Sequence, residues 1–266
     1  MNEEFAGTIT IAIALHAAVA TVTLDRPALR NAFNETTIAE LTAAFTQLGN
    51  DARVRVIVLA ANGPAFCAGA DLHWMKKMAG YSHAENLADA AALAAMLRTI
   101  DLCPKPVVAK VQGDTYAGGI GLLAAADIAV VATKAQFCLS EVRIGLIPAT
   151  ISPYVIRAMG ASAARRYFLT AERFSAEQAC RCGLVHEVVE ADALDGAVQD
   201  IVAALLAASP HAVSEAKRLI RDVAGRSIDD ALVADTVGRI ADIRASIDGR
   251  EGVQSFLEKR KPRWQG

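Results

Sequence analysis

The sequence predicts an α/β fold, and three observations carry this prediction. Over the first two thirds of the 266 residues, strand-like segments alternate with helix-like segments. Hydrophobic residues make up 53% of the chain and charged residues 21%, which supports a large buried core and excludes a disordered scaffold. From about residue 193 the pattern becomes helical throughout.

Hydrophobic periodicity places the elements of the first region. Apolar alternation predicts a strand over 18–24, and a helix over 36–48 follows Asn34, whose side chain can cap it. A nearly continuous apolar run predicts a strand over 54–59 that is buried on both faces, with a loop over 62–70 after it. The remaining predicted elements are a helix over 83–100, strands over 107–111 and 128–132, and a short glycine-led helix between those strands.

The last third has a different organisation. Ser175 and Gln178 have capping-box spacing and predict the start of a short helix. Asp248 and Glu251 repeat this spacing and predict the start of the final helix, which ends in a basic tail. We place a boundary near residue 195, between a core over 1–195 and a C-terminal helical region over 196–266.

Charge and composition exclude several classes of protein. The 27 basic and 29 acidic side chains give a net charge of −2, without the basic stripe of a nucleic-acid-binding protein. No run of 18 residues lacks charged or strongly polar side chains, so we expect no membrane-spanning helix. Residues 1–5 show no basic segment of a secretory signal, so we expect a cytoplasmic protein. The 5 cysteines and 5 histidines lack ligand spacing, so we expect reduced thiols and no metal site.

Glycines are densest over 113–121, between a predicted strand and an apolar run. Gly119-x-Gly121-x-x-Ala124 formally matches a dinucleotide-binding fingerprint. We reject that interpretation because the preceding strand ends near Val111 and two earlier strands already belong to the sheet. Adjacent glycines at a helix start nevertheless expose backbone N–H groups to a ligand.

A second loop of small residues lies over 65–71. It has a purely structural interpretation, as a tight turn in which Asp71 caps the helix that follows. Taken together, the two loops favour a functional interpretation, because two backbone donors from separate loops form an oxyanion hole.

Several ordered motifs resemble the signatures of the crotonase superfamily, the enoyl-CoA hydratase/isomerase family. These motifs occupy residues 25–27, 66–71, 106–113, 117–119 with 126–127, 174–179 with 183–185, and 251–259. The resemblance covers nearly the whole chain. It implies a crotonase (ClpP-like) spiral of ββα units, a C-terminal helical trimerisation region, and a homotrimer or a homohexamer built as a dimer of trimers.

The resemblance also implies an acyl-CoA thioester substrate, with no separate cofactor because coenzyme A is part of the substrate. Its motif positions assign the thioester oxygen to the backbone N–H groups of Ala70 and Gly118. The implied contacts with coenzyme A come from the Ala68 carbonyl, Asp71 and Leu72. The candidates for its phosphates are Arg26, Arg30, and Lys259 or Lys261 from a neighbouring C-terminal helix.

The acid–base group implied by the family is Glu141. Relatives with two catalytic glutamates would carry the first at Gly121, which has no side chain, and the second at Glu141. Glu141 is then the base that activates water. The second proton-handling group stays open between Tyr116, Asp114 and a carboxylate of the substrate.

The segment over 140–174 resembles bacterial hydratases that act on 3-methylglutaconyl-CoA or isohexenylglutaconyl-CoA in leucine or acyclic-terpene breakdown. We therefore expect a hydratase of carboxylated enoyl-CoA esters, in which Gly121 leaves room for the substrate and Arg143, Arg157 and Tyr154 are candidates to bind its carboxylate. The alternatives are a Δ3-Δ2-enoyl-CoA isomerase, a general short-chain enoyl-CoA hydratase and a non-catalytic acyl-CoA-binding protein.

Overall fold

A computed structural model describes residues 3–4 and 8–265, so the expectation of no secretory signal falls mostly outside the described residues. The strands are β1 (Glu3–Glu4), β2 (Ile11–His16), β3 (Val19–Leu24), β4 (Val56–Ala61), β5 (Ala65–Cys67), β6 (Val107–Val111), β7 (Asp114–Tyr116), β8 (Ile128–Ala132), β9 (Gln136–Cys138), β10 (Phe174–Ser175) and β11 (Glu187–Val189). The α-helices are α1 (Glu35–Asn50), α2 (Leu72–Met78), α3 (His83–Asp101), α4 (Gly118–Ala125), α5 (Ser152–Thr170), α6 (Ala176–Arg181), α7 (Leu194–Ala207), α8 (Pro210–Val223), α9 (Asp230–Ala245) and α10 (Ile247–Leu257).

The strands form two sheets, and from β4 to β9 successive strands belong to the two sheets in turn. One sheet has the order β1-β2-β3-β4-β6-β8-β11 and is parallel from β3 onward, and the other has the order β10-β9-β7-β5. Each of β4, β6 and β8 is followed by a short strand of the second sheet, namely β5, β7 and β9. This alternation winds the chain into a spiral of ββα type and confirms the predicted α/β fold class.

Strand β4 shows how the core is divided. Its side chains alternate between two clusters, with Ile57 and Leu59 in the main core and Val56 and Val58 in a smaller one. Helix α7 covers the smaller cluster with Leu194 and its neighbours. The prediction of a strand buried on both faces is confirmed. The predicted boundary near residue 195 falls within α7, which packs on this smaller cluster. The helices that follow this packed layer begin with α8.

The predicted helix starts are largely confirmed. The Asn34 side chain accepts a hydrogen bond from the backbone N–H of Thr37, and Ser175 and Gln178 form the complete capping box. The segment 62–70, predicted to be a loop, contains the strand β5. Three residues are too few for hydrophobic alternation to indicate a strand.

The predicted start of the final helix is wrong. Helix α10 begins at Ile247, and its N-cap is Ser246, whose hydroxyl accepts a hydrogen bond from the Gly249 backbone N–H at 2.9 Å. Glu251 lies on the second turn and binds the Arg260 guanidinium at 2.7 Å. Its carboxylate is therefore drawn to the basic tail and does not cap the helix.

Within the described ranges, no single helix has the length and apolar composition to span a membrane. The bent pair formed by α7 and α8, with 106° between the two helices, meets that test by length and composition only. The same ranges contain no group of three or more His, Cys, Asp or Glu residues that could hold a metal ion.

Candidate active site

The loop after β5 presents the backbone of Ala70. This residue forms an isolated parallel bridge with Phe33, in which the Phe33 N–H donates to the Gly69 carbonyl at 2.9 Å and the Asp71 N–H donates to the Phe33 carbonyl at 3.0 Å. In such a bridge the N–H of the central residue points away from the partner segment. No described residue accepts a hydrogen bond from the Ala70 N–H.

Gly118 is the first residue of α4, so its N–H has no acceptor within the helix. The preceding residue, Ala117, has φ 48° and ψ −121°, a strained conformation for a residue with a side chain. A hydrogen bond of 2.8 Å from the Ala117 N–H to the Cys138 carbonyl holds the turn. The Gly118 N–H therefore lies at the positive end of the helix dipole.

Gly69 allows the two loops to meet. Its φ is +90°, and a Cβ atom there would lie 3.0 Å from the Cβ of Ala117, 3.2 Å from the Tyr116 carbonyl oxygen and 3.7 Å from the Gly118 nitrogen. A side chain at this position would push the loops apart. The structure thus brings together the two segments that carry the predicted donors.

Glu141 opens a short 3-10 helix shortly after β9. Strands β7 and β9 run in parallel with Tyr116 opposite Cys138, so Gly118 and Glu141 follow the same end of the strand pair. The Glu141 Oε2 atom is buried, and no described residue donates a hydrogen bond to it. Burial also raises the pKa of this carboxyl above its usual value. A buried carboxylate oxygen without an internal donor is costly and is typical of a group that acts on a ligand.

The expectation that Gly121 leaves room for the substrate is wrong. A Cβ atom on this residue would lie 2.3 Å from Cγ2 of Ile151 and 3.6 Å from Cδ2 of Leu97. Ile151, which immediately precedes α5, fills the space where a first glutamate would begin. No local sequence pattern indicates this contact, because it depends on how α5 packs against α4.

Two arginines near Cys138 of β9 have no carboxylate partner among the described residues. The Arg143 guanidinium donates to the Ala171 carbonyl at 2.6 Å, and that of Arg173 lies 5.6 Å from the centre of the Tyr116 ring. Burial raises the pKa of the Cys138 thiol, whereas the charges of both arginines oppose that rise. Both cations therefore lie close to β9. Sequence reasoning identified Arg143 and missed Arg173.

Arg157 and Tyr154 are engaged elsewhere. The Arg157 guanidinium forms an ion pair with Asp101 and lies 5.6 Å from the centre of the Tyr154 ring. It lines a cavity with Ala126, at the C-terminal end of α4, a helix about 12 Å long. The expectation that Arg157 binds the substrate carboxylate is therefore corrected, because α5 carries Arg157 to the end of α4 opposite Gly118. The role expected of Tyr154 stays a prediction.

Tyr116 and Asp114 form a hydrogen-bonded pair. The Tyr116 hydroxyl and the Arg30 guanidinium each donate to Oδ2 of Asp114 at 2.9 Å. Burial and the neighbouring Asp114 carboxylate raise the pKa of Tyr116. These hydrogen bonds join the two side chains to each other and to Arg30. Their role as the second proton-handling group stays a prediction.

Arg26 and Asp71 bind each other instead of offering free charges to coenzyme A. The Arg26 guanidinium lies 2.8 Å from Oδ2 of Asp71 and also donates to the Ala32 carbonyl, while the His73 N–H donates to Oδ1 at 2.7 Å. Burial opposes ionisation of Asp71, but these donors lower its pKa overall. The phosphate contact expected of Arg26 is corrected, because the ion pair leaves the two side chains only 17% and 5% exposed, while the coenzyme A contact of Asp71 stays a prediction.

The other predicted coenzyme A contacts lie at accessible positions. Leu72 is 79% exposed at the start of α2, and the backbone N–H of Ala68 donates to the Arg30 carbonyl at 3.0 Å. Lys259 and Lys261 are exposed just beyond α10. These contacts stay predictions.

The fold and the site together define a class of protein. A spiral α/β core presents two unused backbone donors from separate loops, and a buried carboxyl follows the same end of the strands that lead to the second loop. This arrangement is that of an enzyme that stabilises an anionic oxygen while moving a proton.

Comparisons with known proteins agree with this class. Residues 14–266 match the family model described as enoyl-CoA hydratase/isomerase. The structure of an enoyl-CoA hydratase from Shewanella pealeana superposes with a TM-score of 0.94 at 43% identity, covering 97% of this chain and 96% of that one. A short-chain-enoyl-CoA hydratase from Clostridium acetobutylicum is 30% identical over 91% of this chain and 92% of its own, and a crotonyl-CoA hydratase from Syntrophomonas wolfei is 31% identical over 91% and 93%. The chain therefore belongs to the enoyl-CoA hydratase/isomerase family, as an enzyme of the hydro-lyase type.

Proposed function

We propose that this protein adds water across the α,β double bond of an acyl-CoA thioester. The observation that carries the proposal is the buried Oε2 atom of Glu141, which has no donor among the described residues. The unused N–H groups of Ala70 and Gly118 support it, because the thioester oxygen gains negative charge when water attacks Cβ.

Each group has a distinct role in this reaction. Glu141 removes a proton from the attacking water, and its raised pKa favours this step because it makes the carboxylate a stronger base. The protonated carboxyl then returns a proton to Cα. The two backbone donors bind the enolate-like oxygen, and the dipole of α4 adds to the stabilisation at Gly118. Coenzyme A is part of the substrate, so the proposal requires no further cofactor.

We further propose a substrate with a carboxylate remote from the thioester, such as 3-methylglutaconyl-CoA. The support comes from Arg143 and Arg173, which lie near β9 without a carboxylate partner in the described part of the chain. A cation that lacks an internal counter-charge favours an anionic ligand. The absence of a side-chain carboxylate at Gly121 agrees, since a second glutamate would repel such a ligand.

A comparison of two substrates tests this choice. We expect kcat/KM for 3-methylglutaconyl-CoA to exceed that for crotonyl-CoA by tenfold or more, and Arg173→Gln to remove most of the difference. Arg165→Gln, an exposed arginine on α5, is the matched control and leaves the preference unchanged. A tenfold preference of the wild-type enzyme for crotonyl-CoA would instead make it a general short-chain enoyl-CoA hydratase.

One observation favours a second function, Δ3-Δ2-enoyl-CoA isomerisation. Glu141 acts without a glutamate at position 121, and an isomerase needs only one base to move a proton between two carbons. The discriminating measurement supplies a 3-enoyl-CoA and a 2-enoyl-CoA in separate reactions. Conversion of the former without hydration of the latter would replace the hydratase assignment.

A further inference from the structure

We propose that Phe33 is a positioning residue that fixes the separation of the two oxyanion donors. The proposal rests on the proposed function, since it concerns the same N–H groups of Ala70 and Gly118. Phe33 touches the segments of both donors, one through its backbone and the other through its ring.

The backbone of Phe33 determines the direction of the Ala70 N–H. Its N–H and its carbonyl bind the residues on either side of Ala70, at 2.9 Å and 3.0 Å. These two bonds fix the peptide planes before and after Ala70, so that its own N–H is directed away from Phe33. The ion pair between Arg26 and Asp71, at 2.8 Å, also holds the residue that follows Ala70.

The ring of Phe33 limits the approach of Gly118. A Cβ atom on Gly118 would lie 2.4 Å from Cζ of Phe33, so the glycine backbone rests directly on the tip of the ring. Phe33 is 1% exposed, and its ring packs against Trp74 with 5.9 Å between centroids. It cannot move away without displacing α2.

Two contacts from one residue make the geometry of the hole depend on the size of its side chain. Shortening the ring removes the support under Gly118, while an added atom at Cζ pushes Gly118 away. Hydrogen bonds to an oxyanion weaken steeply with distance and angle, so either change reduces transition-state stabilisation more than substrate binding.

The test compares Phe33→Leu and Phe33→Tyr with Phe45→Leu. Phe45 is equally buried at 1% exposure but lies in α1, outside both loops. For Phe33→Leu we expect a tenfold or larger loss of kcat for crotonyl-CoA relative to Phe45→Leu, with KM changed by less than threefold. Phe33→Tyr adds one oxygen at the atom nearest Gly118 and should lose at least as much.

Binding measurements separate positioning from general damage to the fold. The absorbance of bound cinnamoyl-CoA should shift to the red in the wild-type enzyme, because the donors polarise its carbonyl, and this shift should shrink in both Phe33 variants. Affinity for a CoA thioether, which has no carbonyl oxygen, should stay within twofold. Equal kcat and equal spectral shifts in Phe33→Leu and Phe45→Leu would overturn the proposal. A wild-type enzyme that shifts the spectrum but hydrates no enoyl-CoA would overturn the proposed function and leave the role of Phe33 standing.

Discussion

The spiral core and the C-terminal helices differ in how they bury their apolar side chains. Helix α4 buries seven of its eight residues, whereas α8 buries none, α9 only Leu232 and α10 only Ser255. On α9 and α10 large apolar side chains remain at the surface, including Val237 at 60%, Ile247 at 75% and Phe256 at 82% exposure.

This difference indicates that the two regions are stabilised in different ways. The core buries two large apolar clusters within one chain, although single apolar side chains such as Leu72 and Leu169 stay exposed there. The C-terminal helices bury almost none of their own and leave an apolar surface of the kind that usually binds a partner. We propose that this surface joins copies of the chain in a trimer or hexamer. The following predictions test the separation of a self-contained catalytic core from an assembly region.

The largest effect is expected at the acid–base group in the core. Glu141→Gln removes the base but keeps the shape of the side chain, so kcat should fall by a factor of about 100 or more. Glu187→Gln, an exposed glutamate on β11, is the matched control and should change kcat by less than twofold. Near wild-type turnover in Glu141→Gln would mean that another group accepts the proton.

A second glutamate cannot be introduced into this core without cost. Because Ile151 occupies the space beside Gly121, Gly121→Glu should lower the free energy of unfolding by about 3 kcal/mol. Gly238→Glu is the control, since a Cβ atom at that position of α9 meets nothing within 4 Å. Chemical denaturation should show a smaller loss when Gly121→Glu is combined with Ile151→Ala. An equal loss in both backgrounds would contradict the role assigned to Ile151.

A charge on the C-terminal surface should affect assembly and leave the fold of the core intact. Phe256→Glu is expected to reduce the mass measured by light scattering from a multiple of 28.0 kDa toward that of one chain. Ile9→Glu, equally exposed at 82% but located before β2, should leave the mass unchanged. If the wild-type protein has the mass of one chain at micromolar concentration, the proposal that this surface joins copies of the chain is wrong.

The smallest expected effect is the influence of Glu141 on stability as pH changes. Since burial raises the pKa of this carboxyl, the folded state binds a proton more tightly than the unfolded state does. Ionisation of Glu141 therefore destabilises the fold above its folded pKa, and Glu141→Gln should be at least as stable as the wild type at pH 7. The difference in stability between Glu141→Gln and the wild type should decrease as pH falls through the pKa of Glu141 in the folded state. Thermal melts of both proteins at several pH values measure this difference.

The sequence by itself determined four strands of the larger sheet, β3, β4, β6 and β8, and most of the helix starts that it predicted, but it did not determine the short strands of the second sheet. Asn34 and Ser175 cap the helices that follow them, because a cap involves residues only a few positions apart. The motif positions also led to Ala70, Gly118 and Glu141, and the structure brings their segments together. Asp248 failed as a cap because Ser246 offered a competing side chain two residues earlier.

Only the tertiary structure decided which of the predicted site residues are accessible to a ligand and which are occupied by contacts within the protein. Arg26 pairs with Asp71 across 45 residues, Ile151 fills the space at Gly121, and the ring of Phe33 supports Gly118. Each contact joins elements distant in sequence, and local periodicity carries no information about them. They arise because a close-packed core fills its interior with whichever side chains the fold brings together.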